Sequence, residues 1–301
     1  MTLHRITVSL TSPLGTPLVG PTLFGLICQT MCEKEGEAAL VDWLGEPERI
    51  WRISDAFPTG WLPRPLVTPR PLRPEEFDLV KERKKRPWIH RNTWMKNRAS
   101  WSDSDLPDES FMNDPACNRR QAHNVVHRHG RGTLETGGLF FVEDDWRFAG
   151  PDNDMDLYVE SDDRPGRVRD IIEAVGERGY GRDISTGRGR FEVSGIFSDP
   201  ELIMLPGARR RMSLSRGVLT CATMHDALWR IEPHLGRAGP ELTLTGVSPF
   251  KRPVLLTRPG CTYTPGGSGV AGRWVSDIHA ERPEIGLNGF HLAIPFSEAS
   301  Q

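Results

Sequence analysis

A stretch rich in glycine and arginine, GYGRDISTGRGRFEV, runs from Gly179 to Val193 and joins a helical pattern to a strand pattern. From Phe191 to Ile196 apolar and polar residues alternate, which predicts a half-buried strand. The apolar residues before the stretch recur at the i, i+3, i+4, i+7 spacing of one helix face; they are Val168, Ile171, Ile172 and Val175. The stretch is therefore predicted to connect a helix to the strand that follows it.

The residue types of this connection suit an anion. Glycines allow successive backbone N–H groups to converge on one, and Arg182, Arg188 and Arg190 could add charge-assisted bonds to phosphate oxygens. No Lys-Ser or Lys-Thr follows the last glycine, so the GxxxxGK[ST] motif of nucleotide triphosphatases is absent. A glycine-rich turn with solvated arginines is the alternative interpretation.

The order of the predicted elements limits the fold. His4 to Leu10 alternates like a strand, and a helical pattern with Pro21 at its start ends at Gly36 or Gly45. The short apolar runs IWRI, HNVV, GGLFFV and DLYVE are predicted strands. The resulting β-α-β…β-α-β order is that of the split βαβ, ferredoxin-like arrangement. We expect an α+β protein whose first domain spans residues 1–198.

Two parts of the chain depart from this order. Residues 71–121 are polar, basic and Trp-bearing, and are predicted to be an insertion that projects from the first domain. After SDPELIMLPGARRR the chain becomes richer in proline and glycine, with short local strands. Residues 199–301 are therefore predicted to form a second, smaller α+β domain, and a degenerate copy of the first domain is one possibility, although no repeat is visible residue by residue.

Cationic residues are concentrated locally. The formal net charge is −2, yet residues 81–100 contain eight cations and one acid, with tryptophans interleaved. Cations that follow a phosphate backbone beside aromatic faces that stack on bases are typical of single-strand binders. The candidate contacts here are Lys84, Lys85, Arg86, Trp88, Arg91 and Trp94, with the two tryptophans as possible wedges between bases. A solvated basic hairpin is the alternative.

A row of histidines, HNVVHRHGRG, holds His123, His127 and His129. Neither a carboxylate nor a cysteine lies nearby in sequence to complete a metal site, so no metal is predicted. One histidine could instead be the general base of a metal-independent ribonuclease. A polar edge of a binding groove is the third interpretation, and it makes His123, Asn124 and Arg128 candidate RNA contacts.

The remaining composition excludes several classes of protein. Five scattered cysteines without a CxxC pair argue against a disulfide framework and a zinc site. Neither a signal-peptide pattern nor a run of some eighteen apolar residues occurs, which predicts a cytoplasmic protein with no membrane contact. No acyl-transfer or glycosidase motif is present, and no cofactor is predicted.

These strings together resemble a known family. SPLGTPLVGPTLFGLIC, SDAFPTGWLPRP, RGTLETGGLFFVEDD, GYGRDISTGRGRFEV and PVLLTRPGCTYTP…GLNGFHLAIPF span nearly the whole chain. In this order they are similar to the RAMP proteins of type III-A CRISPR effector (Csm) complexes, and within them to the family of the fourth subunit, which caps the 5′ end of crRNA.

The resemblance implies two packed ferredoxin-like domains, residues 1–198 and 199–301, with a hairpin thumb inserted at about 71–121. It implies a non-catalytic subunit that holds the repeat-derived 5′ tag of crRNA, docks the large signalling subunit and the backbone RAMP subunits, and meets target RNA only indirectly. The residues that fall on the family's glycine-rich loop are Gly181, Arg182, Ser185, Thr186, Gly187, Arg188, Gly189 and Arg190. Those on its first strand-helix junction are Thr16, Gly20, Thr22 and Phe24.

Two other functions stay open from the sequence. One is a related metal-independent crRNA-processing endoribonuclease with a histidine general base. The other is a protein scaffold that contacts RNA little, whose RNA binding would not depend on salt.

Overall fold

The computed structural model describes residues 1–69, 71, 77–125, 138–151, 153–239, 242, 245–267 and 269–299. The strands are β1 (Thr2–Leu10), β2 (Arg52–Ile53), β3 (Phe57–Pro58), β4 (Trp61–Pro63), β5 (Trp88–His90), β6 (Phe111–Met112), β7 (Asn118–Asn124), β8 (Leu139–Asp145), β9 (Asp154–Ser161), β10 (Phe191–Ser198), β11 (Arg210–Ser213), β12 (Met224–Leu228), β13 (Ile231–His234), β14 (Val254–Thr257), β15 (Thr262–Pro265), β16 (Gly272–Val275), β17 (Leu287–Phe290) and β18 (Ala293–Phe296). The α-helices with defined bounds are α1 (Gly20–Glu35), α2 (Glu37–Leu44), α3 (Phe77–Lys84), α4 (Arg91–Asn97), α5 (Pro165–Arg178) and α6 (Pro200–Ile203). Across these ranges the structure contains no helix with the length and apolar character needed to cross a membrane.

The first sheet has the strand order β10-β1-β9-β2, and β3 also pairs with β9. All of its pairings are antiparallel. The helices α1 and α5 follow the first and third of the four main strands in the chain, as the sequence predicts. Antiparallel neighbours with helical connections place both helices on one face of this sheet.

The helix α5 shows why this face is buried. Its four apolar residues, Val168, Ile171, Ile172 and Val175, are all almost completely buried against the first sheet, which confirms the predicted helix face. Each such side chain contributes roughly 1.5–3 kcal/mol by leaving water. The helix begins at Pro165 and ends before Gly179, whose φ of +98° suits glycine.

The second sheet repeats the strand order of the first with different connections. Its order is β12-β15-β11-β18, and its pairings are also antiparallel. Counted along the chain within each sheet, both orders are 4-1-3-2. The connections differ, however: the hairpin β13–β14 lies between the second and third strands of the second sheet, and β16–β17 lies between its third and fourth strands, where the first sheet has α5. A sequence repeat is therefore not visible, because the periodicity of the connecting segments differs.

The segment predicted to project from the first domain is largely packed inside. Trp94 is fully buried and contacts Trp101 and Phe296, with ring centroids 4.9 and 5.5 Å apart. These side chains belong to a second hydrophobic core, between the first sheet's other face and the second sheet. The prediction of a projecting insertion is wrong for β5 to β6, because their apolar residues fill this core. The strands β7 and β8 form a separate two-stranded sheet.

Candidate nucleic-acid interface

The connection between α5 and β10, residues 179–190, is called the glycine loop below. Its backbone depends on glycine at positions where a side chain does not fit. Gly189 has φ +75°, and a Cβ there would overlap the carbonyl oxygen of Tyr180. Gly181 has φ +79°, and a Cβ would lie 2.8 Å from the Cβ of Thr16. Close approach of two backbone segments therefore requires these glycines.

The glycine loop is held by the segment that joins β1 to α1, residues 11–19, which we call the first loop. The N–H of Gly189 donates to the carbonyl of Pro13 (2.8 Å), and the N–H of Arg190 donates to Oγ of Ser12 (2.7 Å). The buried Tyr180 hydroxyl accepts from the N–H of Val19 at 2.9 Å and donates to the carbonyl of Pro17 at 2.8 Å. Burial raises the pKa of this phenol, so it remains a neutral donor.

Thr16, a predicted contact, takes part in the same junction. Its Oγ1 accepts from the N–H of Arg182 at 3.1 Å. Thr16 therefore lies beside the glycine loop, and its hydroxyl positions the backbone there. The two loops behave as one unit because their polar backbone groups satisfy each other.

Two of the three predicted phosphate-binding arginines are ion-paired inside the protein. The guanidinium of Arg188 donates through Nε to Asp144 at 2.7 Å, and that of Arg182 donates to the other carboxylate oxygen at 2.9 Å. The Asp144 side chain is fully buried and that of Arg188 is only 11% exposed. The expectation that Arg188 presents its charge to phosphate is therefore corrected, because its guanidinium serves a buried carboxylate.

The outward side of the glycine loop carries the remaining predicted groups. Arg190, Ser185 and Thr186 are exposed, and Arg182 is 45% exposed despite its ion pair. Among the described residues the guanidinium of Arg190 has neither an ion-pair nor a hydrogen-bond partner. Arg190 is thus the arginine of this loop with its full hydrogen-bonding capacity available to a ligand.

A cleft of about 1110 Å³ opens beside the first loop. Its walls come from the first loop, the segment before β3, the β4–β5 region, the start of β7 and the β13–β14 hairpin. Of the predicted contacts, Thr16, Thr22, Lys84, Arg86 and Trp88 line it. Segments next to strands of both the first and the second sheet therefore line this cleft.

Most charges of the cleft neutralise each other. Asp55 accepts from Nε of Arg216 at 2.7 Å and from the N–H of Gly20, at the start of α1, at 2.9 Å. Burial raises the pKa of the Asp55 carboxyl, and Arg216 and the Gly20 N–H oppose that rise. The predicted residue Gly20 therefore has a structural role, and a Cβ there would lie 2.7 Å from the carbonyl of Ile53. Lys84 and Arg230 are exposed cleft cations without an ion-pair partner in the described chain.

Several other predicted contacts lie elsewhere. Phe24 is buried and stacks on Trp43 in the first core. Trp94 is fully buried and cannot be the predicted wedge, whereas Trp88, the other tryptophan predicted for that role, is half-buried and lines the cleft. Nη2 of Arg91 donates to both carboxylate oxygens of Asp199 at 2.7 Å. This ion pair lies beside the first residues of β1 and hence at the end of that strand remote from the glycine loop. These corrections share one cause, since burial and pairing depend on residues distant in sequence.

The cations of residues 81–100 also point to different parts of the protein. Lys85 is exposed and pairs with Glu82 at 2.6 Å, whereas Arg86 donates to the carbonyl of Asp108 at 3.0 Å. Arg98 is buried and donates to carbonyls that end α6. The local excess of cations therefore does not form one continuous phosphate track.

The hairpin of β7 and β8 carries a surface that the sequence reasoning missed. The guanidinium of Arg120 lies over the ring of Phe141 at 4.1 Å, and His123 stacks on Phe140 at 5.5 Å. Phe140 and Phe141 are 44% and 52% exposed, with Leu139 also exposed. The sequence does contain a signal for this surface. In GGLFFV the consecutive apolar residues Leu139, Phe140 and Phe141 cannot all be buried on a two-stranded hairpin, so some of them must be exposed.

The histidine row is only partly described. His123 is half-buried on the hairpin and Asn124 is exposed beside it, whereas Arg128, His127 and His129 lie outside the described residues. Among the residues that the structure does describe, no three His, Cys, Asp or Glu side chains come together as a metal site would require. His123 stays a candidate contact through its ring.

The fold and these surfaces define the class of the molecule. It is a mixed α/β protein with antiparallel sheets, a shared cleft and an exposed aromatic hairpin, which is consistent with a RAMP fold. No family model matches the chain, and no curated protein sequence matches it.

Solved structures that resemble the whole chain contain Csm4 subunits of type III-A CRISPR-Cas complexes. One is a Csm1-Csm4 cassette in complex with cA4, with a TM-score of 0.62, 15% identity and coverage of 100% of both chains. A Csm1-Csm4 cassette in complex with AMPPNP has a TM-score of 0.60 and 17% identity, and the match covers 99% of this chain and 100% of the other. The Csm3-Csm4 subcomplex of the type III-A interference complex gives 0.59 at 14% identity, with the same coverage. At this identity the likeness establishes the fold.

Proposed function

We propose that this chain is the crRNA-capping RAMP subunit of a type III-A CRISPR (Csm) effector complex. In this role it is non-catalytic, acts in the cytoplasm, binds the 5′ tag of crRNA, and bridges the large signalling subunit to the backbone RAMP subunits. It meets target RNA only indirectly. The observation that carries the proposal is the match of fold over 99–100% of both chains to Csm4 subunits in complex with Csm1 or Csm3.

The strand orders support a division into two ferredoxin-like domains, residues 1–198 and 199–301. Each has one antiparallel sheet of order 4-1-3-2. We assign the thumb to the hairpin of β7 and β8 instead of residues 71–121. This hairpin forms a separate two-stranded sheet, whereas β5 and α4 contribute to the second core.

The surfaces of the molecule suit RNA. Arg190 offers a free guanidinium for phosphate beside the first loop, and Lys84 offers an ammonium in the cleft. The hairpin pairs Arg120 with Phe141 and His123 with Phe140, and such rings can stack on bases while the cation meets phosphate. Contacts to phosphate fix the register of an RNA, and unstacked bases on the hairpin supply any sequence preference.

A binding experiment tests this function. The probe is a guide RNA that begins with the repeat-derived tag, compared with the same RNA lacking the tag, without divalent metal. We expect at least about tenfold tighter binding of the tagged RNA, affinity that falls steeply with salt, and no cleavage. Arg190→Ala should weaken binding and reduce the salt slope by about one, with the exposed Arg273→Ala as matched control.

Three outcomes would contradict the proposal. Equal binding of tagged and untagged RNA removes the capping role. Binding without salt dependence indicates a scaffold that contacts RNA little. Metal-independent cleavage that is lost in His123→Ala indicates the endoribonuclease alternative.

A further inference from the structure

The end of β8 is attached to the first loop by a pair of backbone hydrogen bonds. The N–H of Leu14 donates to the carbonyl of Asp145, the last residue of β8, at 3.0 Å, and the N–H of Asp145 donates to the carbonyl of Leu14 at 2.9 Å. The Leu14 side chain is buried in the first core. The base of the β7–β8 hairpin therefore cannot move relative to the first loop without disturbing that core.

The side chain of Asp145 holds the base of the hairpin itself. Its Oδ1 accepts from the N–H of Cys117, the residue before β7, at 2.9 Å, and from the N–H of Arg147 at 3.0 Å. Its Oδ2 accepts from Nε of Arg147 at 2.6 Å, and these two side chains are only 14% and 8% exposed. Hydrogen bonds to an ionised group are shorter and stronger than those between neutral groups. One carboxylate thus joins the start of β7 to the turn that follows β8.

The two residues before Asp145 hold the glycine loop. Nη2 of Arg182 donates to the carbonyl of Glu143 at 2.8 Å, as well as to the Asp144 carboxylate. Each of the seven residues of β8 pairs with a residue of β7, without a shift in register. Residues 143–145, which we call the junction, therefore connect the first loop, the glycine loop and the hairpin to one another.

The junction fixes the distance between two groups of residues that we assign to RNA. Arg190 lies on the glycine loop, whereas Phe141 lies four residues before Asp145 on β8, about 13 Å away along the strand at its usual rise per residue. Two contact sites held at a fixed separation can both bind only an RNA whose nucleotides span that separation. The affinity for an RNA should therefore depend on the number of nucleotides between its contact with the glycine loop and its contact with the hairpin.

We propose that Asp145 is a positioning residue that makes tag binding selective for the spacing between the nucleotide at the glycine loop and the nucleotide at the β7–β8 hairpin. This inference rests on the proposed function, because that function supplies the RNA. Asp145 acts through the hairpin, since both of its carboxylate oxygens already accept hydrogen bonds within the protein. Its role differs from that of Asp144, which holds the arginines of the glycine loop.

The experiment measures the affinity of the full chain for tagged guide RNA and for a series of the same RNA with one nucleotide inserted at each position of the tag in turn. For the wild-type chain we expect at least one insertion to weaken binding about tenfold or more, because both contacts can then no longer be made together. Asp145→Ala should weaken binding of the intact tag and reduce the effect of that insertion to less than about threefold, since the hairpin can then adjust. Asp170→Ala is the matched control, because Asp170 is exposed on α5, and it should keep the full effect of the insertion.

Urea unfolding checks that each variant is folded. If Asp145→Ala is not, Asp145→Asn replaces it; its amide oxygen can still accept from the N–H of Cys117, so it should lose less selectivity. A folded variant that binds intact and inserted tags with equally reduced affinity would overturn the proposal, because Asp145 would then serve stability alone. So would a wild-type chain that binds every inserted tag as tightly as the intact tag while still preferring tagged to untagged RNA, a result that leaves the proposed function standing. If the wild-type chain does not prefer tagged RNA, the proposed function itself fails, and this inference with it.

Discussion

At the scale of single residues, Asp144 links the glycine loop to the β7–β8 hairpin. It is an acid beside a surface that we assign to RNA, and its side chain is fully buried between two arginines. Simple electrostatics says that removing this negative charge should help an anionic ligand. The geometry indicates that removing this charge should instead weaken RNA binding, because Asp144 holds Arg182 and Arg188 in place and thereby fixes the conformation of the glycine loop.

We therefore expect Asp144→Asn to weaken binding of tagged RNA by about tenfold, through lost preorganisation. It should also lower the free energy of unfolding by about 2–3 kcal/mol, since it leaves the nearly buried Arg188 without its carboxylate. Urea titration and RNA binding are the measurements. Asp277→Asn is the control, because Asp277 lies outside the glycine loop, is 78% exposed and has a φ of +56° that asparagine tolerates. Tighter RNA binding by Asp144→Asn would refute the positioning role.

Two glycines of the loop allow a matched test of close approach. Gly187 and Gly189 have similar positive φ values, +85° and +75°, but only Gly189 lies against another backbone. Gly187→Ala should cost about 1–2 kcal/mol of stability, from the left-handed conformation alone. Gly189→Ala should cost about 2 kcal/mol more, because its Cβ overlaps the carbonyl of Tyr180. Equal losses in chemical denaturation would show that the loop relaxes freely.

At the scale of elements, the tryptophan-bearing segment packs into the second core, and the exposed aromatic rings lie on the β7–β8 hairpin that we assign to RNA. We expect Phe141→Ala to weaken binding of tagged RNA by about 1–3 kcal/mol and to leave stability nearly unchanged, since this ring is half exposed. The exposed Phe197→Ala serves as control and should change neither.

Trp94→Ala should have the opposite effect. Its fully buried ring leaves a cavity in the second core, so the free energy of unfolding should fall by about 3–5 kcal/mol. If folded Trp94→Ala loses RNA affinity while keeping its stability, the ring contacts RNA and the assignment of these two elements is wrong.

The elements that the sequence predicts correctly are those whose structure is determined by residues close together in the chain. The faces of α1 and α5 and the alternation of β1 follow from short-range spacing, and the glycine loop follows from its own residues. The burial of Trp94 has no local cause, because Phe296 closes the core from two hundred residues away. Likewise nothing near Asp144 in the chain indicates that Arg182 and Arg188 converge on it.

At the scale of the whole molecule, the second sheet makes stability depend on pH. His291 is buried, its Nε2–H donates to the carbonyl of Val218 at 3.1 Å, and its Nδ1 lies 2.7 Å from the Ser213 hydroxyl. Burial lowers the pKa of His291 to about 4, and burial together with Arg216 lowers that of His234 to about 4. Below the ordinary histidine pKa the unfolded chain binds protons that the folded chain does not.

Acidification from pH 6.5 towards pH 4 should therefore destabilise the fold, and His291 alone should account for up to about 3 kcal/mol. Above pH 6.5 this contribution is constant, because His291 is then neutral in both states. Urea unfolding of wild type and His291→Gln between pH 7.5 and 4.5 measures the difference. If the variant loses as much stability as the wild type over this range, His291 does not titrate as described.

The central claim is that the first loop, the glycine loop and the β7–β8 hairpin together hold the 5′ tag of a guide RNA. The most direct measurement is photo-cross-linking of the assembled complex with a photoreactive base in the tag, followed by mass spectrometry of the linked peptides. The account predicts tag cross-links within residues 11–19, 118–124, 138–145 and 179–190. Cross-links confined to other subunits or to the hairpin of β13 and β14 would contradict it.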